Sequence, residues 1–94
     1  MTVHSSIRIL LAEDEAKLSG ILRTYLEGRG HRVRAVPDGR QALEALRAET
    51  FDVALLDMVM PEFDGLEVMR QVREEPSPPE VIIITGNATI DTAS

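Results

Sequence analysis

The feature that most constrains this chain is its alternation of short apolar runs with longer stretches of helical period. Ile7-Arg-Ile-Leu-Leu-Ala12, Asp52-Val-Ala-Leu-Leu-Asp57 and Val81-Ile-Ile-Ile-Thr85 are apolar almost throughout. Such runs suit strands buried on both faces, as in a parallel sheet covered by helices. Arg32-Val-Arg-Ala-Val36 instead alternates polar with apolar, which reads as an edge strand exposed on one face. Between these two kinds of strand, Leu18, Ile21, Leu22, Tyr25 and Leu26 follow the spacing of a single helix face. That face is expected to pack against the sheet, and Gly28 and Gly30 are expected to close the helix.

Asp38-Gly-Arg-Gln41 and Asp64-Gly-Leu-Glu67 are two copies of one helix-start signal. In each, an Asp can cap the first amides while a Gln or Glu three residues later can reach back. Ala42, Leu43 and Leu46 are expected to face inward from the first of these helices, and Leu66, Met69 and Val72 from the second. The proline-rich segment Glu74-Glu-Pro-Ser-Pro-Pro-Glu80 reads as a loop, and another helix is expected to begin near Thr89. The order is therefore β-α-β-α-β-α-β-α in one domain, with residues 1–6 as a polar tail and 7–94 as the folded unit.

Right-handed crossovers place the carboxyl ends of all the strands on one edge of such a sheet, where open α/β folds bind ligands. The strand ends deliver Glu13 and Asp14 from the first strand, Asp57 from the third and Thr85 from the fourth. Carboxylates converging in one crevice repel one another, so at least one pKa rises unless a cation sits among them. An all-oxygen ligand set with open positions suits Mg²⁺. A carboxylate beside that ion is a nucleophile toward phosphorus, and Thr85 is placed to meet a phosphoryl oxygen, with Gly86 leaving space.

Composition removes several other functions. The chain has no cysteine, which excludes disulfides, thiolate metal sites and thiol catalysis. Its net charge of −6, with both signs interleaved, argues against direct nucleic-acid binding. No apolar run is long enough to span a bilayer and the start lacks a signal-peptide pattern, so no membrane association and a cytoplasmic location are expected. His4 and His31 neighbour no other ligand type and read as solvated.

Glu13-Asp-Glu15 after an apolar strand, Asp57-Met-Val-Met-Pro-Glu-Phe-Asp-Gly65 and Ile84-Thr-Gly86 together resemble the receiver domain of two-component response regulators. The resemblance covers the chain from about Ile7 onward. It implies a flavodoxin-like doubly wound parallel sheet with strand order 2-1-3-4. Asp57 would be the phosphoacceptor, and a sensor histidine kinase the phosphodonor. Mg²⁺ would be held by Asp14 and Asp57 directly, by Glu13 through water, and by the backbone carbonyl of Val59. Thr85 would be the switch residue contacting the phosphoryl group, while Val59 and Asn87 would flank it. Thr85 to Ala93 is similar to the receivers of a class of transcription activators.

Against that pattern, the fifth strand and fifth helix are missing, a difference of about 20–25 residues at typical element sizes. The family's phosphoryl-pairing lysine and its fifth-strand aromatic have no counterpart among Lys17, Tyr25 or Phe63. Val81–Ile84 is then expected to be an exposed sheet edge through which the chain forms a homodimer or a segment-exchanged oligomer. A non-switching interaction or dimerisation module is the alternative to the phosphoacceptor. A haloacid-dehalogenase-type phosphatase also uses a strand-end Asp, but needs a second Asp where this chain has Val59.

Overall fold

A computed structural model describes residues 6–60 and 63–84. Four strands, β1 (Arg8–Ala12), β2 (Arg32–Val36), β3 (Val53–Asp57) and β4 (Glu80–Ile84), alternate with α1 (Ala16–Gly28), α2 (Gly39–Ala48) and α3 (Gly65–Val72). All pairings are parallel and the order is β2-β1-β3-β4, as the family resemblance implies. Leu11 lies opposite Ala35 on one side and Leu55 on the other, so β1 and β3 form the centre and the arginine-bearing β2 forms an edge.

The strands' alternation divides their apolar residues between two faces. Leu10, Ala12, Ala54 and Leu56 meet Ala42, Leu43, Leu46, Val68 and Val72 from α2 and α3 in one continuous core with Phe51 and Met60. Ile9 and Leu11 point the other way, toward α1, and are buried. Burial of this kind stabilises by about 25 cal/mol per Å² of apolar surface and is the main force holding the sheet to its helices.

Both Asp-Gly signals start helices as expected. Asp38 accepts from the Gln41 amide at 2.8 Å, and Asp64 from the Glu67 amide at 2.9 Å. The reciprocal half of the capping box is absent. Gln41 turns its amide to the Asp38 side chain at 3.4 Å, while Glu67 bonds Gln71 and Arg70 farther along the helix. At the end of α1 the left-handed backbone falls on Gly30, with φ 96°.

Three expectations are corrected. The α1 face is not closed over: no residue of that helix is buried, and Ile21 and Tyr25 are 59% and 60% exposed. One helix cannot cover a face four strands wide, and the Arg29 guanidinium lies over the Tyr25 ring instead. In α3 it is Val68, not Leu66, that enters the core, because the helix turns its Val68–Val72 stripe to the sheet and leaves Leu66 outside. His31 is half-buried rather than solvated, and its Nδ1 accepts the Ile7 amide at 3.3 Å. The tail through Ser5 and the helix expected from Thr89 lie outside the described residues.

Candidate functional site

The site forms where β1 and β3 end side by side. Ala12 pairs with Leu56, so the residues that follow them, Glu13 and Asp57, emerge from adjacent strands at the same carboxyl edge. The Glu13 amide bonds the Val36 carbonyl of β2 at 3.1 Å, and the Met58 amide bonds the Ile84 carbonyl of β4 at 2.8 Å. Both strand ends are therefore tied on their outer sides, which fixes the carboxylates between them.

Glu13 and Asp57 are only 4% and 5% exposed and are the only buried charged residues among those described. Asp14 is exposed beside them. One carboxylate oxygen from each of Glu13, Asp14 and Asp57 lies within 4.8 Å of the others. Oε2 of Glu13 accepts the Glu15 amide at 3.0 Å, and Oδ1 of Asp57 accepts the Val59 amide at 3.2 Å. The other Glu13 oxygen, Oε1, is buried with no hydrogen-bond partner among the described residues. Burial pushes the Glu13 carboxyl up from 4.5 to about 6, and the neighbouring Asp57 and Asp14 carboxylates add to the rise against the Glu15 amide, which lowers it. An unpartnered buried acceptor among three carboxylates is what a hard cation would satisfy, so the donor set fits Mg²⁺.

The loop after β3 is packed against the strand that carries Asp57. The Gly65 amide bonds the Met58 carbonyl at 3.2 Å, and a Cβ on Gly65 would stand 2.4 Å from the Asp57 carbonyl oxygen. Gly39, at the start of α2, approaches the same loop: a Cβ there would stand 1.9 Å from the Phe63 carbonyl oxygen. The two Asp-Gly pairs thus do more than begin helices, since each glycine admits a backbone that a side chain would push away. The repeated dipeptide is the signal for Gly39, whose close approach to this loop joins elements too far apart for local pattern to reveal.

Of the expected site residues, Glu13, Asp14 and Asp57 are brought together. Val59 follows Asp57 in the turn, with its side chain 72% exposed. Thr85 lies outside the described residues.

The model of the response regulator receiver domain matches residues 9–94. The chain belongs to that family. It is 34% identical over 90 residues to the transcriptional regulatory protein ZraR of Escherichia coli, covering 96% of this chain and 20% of ZraR. It is 36% identical over 86 residues to ResD of Bacillus subtilis, covering 92% of this chain and 35% of ResD. The chain therefore spans about a fifth to a third of these relatives' length. Among solved structures, the receiver domain of a Pseudomonas aeruginosa sensor histidine kinase, with magnesium coordinated in its active-site cleft, superposes with a TM-score of 0.83 at 30% identity, covering 89% of this chain and 70% of that one. The response regulator TrrA of Thermotoga maritima, in complex with Mg²⁺ and BeF, gives 0.81 at 28% identity, with 87% and 71% covered. No helix among the described residues is long and apolar enough to cross a membrane.

Proposed function

We propose that this receiver domain accepts a phosphoryl group on Asp57 from the phosphohistidine of a partner sensor kinase, in the cytoplasm. The observation that carries the reading is the convergence of the Glu13, Asp14 and Asp57 carboxylates, with the buried Oε1 of Glu13 unpartnered among the described residues. An Asp57 oxygen attacks phosphorus, a P–O bond forms as the P–N bond to the donor histidine breaks, and the imidazole leaves with the electron pair. Asp14, Asp57, the Val59 carbonyl and, through water, Glu13 would hold Mg²⁺, which when bound would supply positive charge to offset the phosphoryl oxygens. The Val59 amide bonded to Oδ1 orients the Asp57 carboxylate, and Thr85 is assigned the contact to the phosphoryl group. The role is that of a signalling acceptor, with any output in a partner or further domain; nucleic acid is not a direct ligand of this domain.

Intact-mass measurement after incubation with acetyl phosphate and Mg²⁺ tests the acceptor chemistry. A single phosphoryl adduct is expected, absent in Asp57→Asn and absent without the metal. An adduct that persists in Asp57→Asn, or none at all in folded protein, overturns the assignment.

A second reading rests on the exposed apolar surface around β4. Ile82 is 47% exposed, and β4 pairs only with β3 among the described residues. That surface favours a homodimer or segment-exchanged oligomer through β4.

A further inference from the structure

The opposite margin of the sheet has a different chemistry. Along β2 the Arg32 amide bonds the Ile7 carbonyl and the Val36 carbonyl accepts the Glu13 amide, so residues 32, 34 and 36 direct their backbone groups to β1. The intervening Val33 and Ala35 direct theirs outward, where no strand pairs with them among the described residues. The side chains follow the same period: Arg32 and Arg34 stand exposed on one face beside this open ladder.

These arginines belong to a basic corner in an otherwise acidic chain. Arg8, Arg32, Arg34, Val33 and Phe51 line an open cavity of about 280 Å³, and no carboxylate is among its lining residues. Arg8 is fixed in place: its guanidinium bonds the Thr50 carbonyl at 2.9 Å, pairs with Glu49 and lies 5.1 Å over the Phe51 ring. Asp52 is taken up by the Arg8 amide at 2.8 Å. Glu49 is shared between Arg8 and Arg34, and Arg32 has no ion pair or hydrogen-bond partner for its side chain among the described residues. The corner therefore carries uncompensated positive charge next to unpaired backbone donors and acceptors.

We infer that the β2 edge is a docking site for an extended acidic peptide segment, which adds as a strand to Val33 and Ala35 and sets a carboxylate against the unpaired Arg32, with Arg34 and its Glu49 partner alongside. Strand addition supplies main-chain hydrogen bonds to the free ladder, and the side-chain period supplies the selection. A second copy of this edge is a poor occupant, because arginine would meet arginine across the new pairing. The half-buried Val33 and Ala35 face the opposite side, so a segment alternating acidic with apolar residues matches both faces.

The test uses the ¹⁵N-labelled full chain titrated with a short blocked peptide alternating glutamate with valine. The Val33 and Ala35 amides are expected to shift and to exchange more slowly with solvent, and Arg32→Glu to weaken binding about fivefold. Because Arg32 is exposed, this variant leaves the fold intact, as its unfolding midpoint checks. Arg32→Lys is expected to retain binding, and a lysine-for-glutamate peptide to prefer the Arg32→Glu chain. Unchanged affinity in Arg32→Glu, or shifts confined to the Asp14 crevice, overturns the proposal. So does inorganic phosphate reproducing both the shifts and the slowed exchange, which would leave only an anion-binding arginine cluster.

Discussion

On the side of the sheet covered by α2 and α3, Leu10 of β1 and Ala54 and Leu56 of β3 are wholly buried. On the α1 side, Leu11 is equally buried, but Leu55 on the next strand is half-exposed and Ile82 on the strand beyond is 47% exposed. The strands are apolar on both sides, so the gradient comes from the cover. Among the described residues, two helices close one face, while α1, resting near β1 and β2, closes half of the other. Apolar strand composition records what a sheet can bury, and helix placement decides what it does bury.

Adjacent residues of β3 test this contrast most severely. Leu56→Ala removes a fully enclosed side chain and is expected to cost about 3 kcal/mol, whereas Leu55→Ala, one residue away on the open side, is expected to cost about 1 kcal/mol. Urea unfolding of the two variants reads the difference directly. Equal losses would mean that the two faces are equally closed in solution.

The next largest effect belongs to the crevice, the one place among the described residues where charge rather than apolar surface is buried. Glu13 holds its proton more tightly in the folded chain, with a pKa of about 6 against an ordinary 4.5. Without metal, stability should therefore fall as pH rises from about 4.5 to about 6, by about 2 kcal/mol at most; the penalty is absent below this window and complete above it. Glu49 and Glu67 are shifted downward by their arginine and glutamine hydrogen bonds, so their contribution is lost only at lower pH. Mg²⁺ should flatten the slope, and so should Glu13→Gln. A slope that survives the substitution would place its origin elsewhere.

The smallest stability effect is expected on the open face itself. Ile82→Thr should change stability by less than about 0.5 kcal/mol, yet lower any concentration dependence of the mass measured by light scattering. A mass that is already that of a monomer at every concentration would remove the β4 association.

Much of this was legible from local pattern. The apolar runs marked β1, β3 and β4, the alternating arginines marked β2 as an edge, and the Asp-Gly pairs marked the starts of α2 and α3. Convergence of Glu13, Asp14 and Asp57 followed from topology, since parallel strands must end on one edge. What escaped were relations between elements. Helical spacing showed which side of α1 turns toward the sheet but not that Ile21 and Tyr25 overhang it. In α3, Leu66 and Val68 compete for the interior, and only the helix's rotation selects Val68. The sharing of Glu49 between Arg8 and Arg34 joins positions too far apart in sequence for any local motif to reveal.

The unequal margins of the sheet also bear on how large an assembly can become. A strand margin that accepts its own kind propagates without limit when both ends are alike and adhesive. Here the margin proposed to associate is the apolar β4, while β2 presents like charges to its own copy. Two copies joined β4 to β4 about a two-fold axis would show β2 at both extremities, and growth would terminate there. The arginines of β2 would then act as end-stops, making a closed pair rather than a filament the natural limit of self-association.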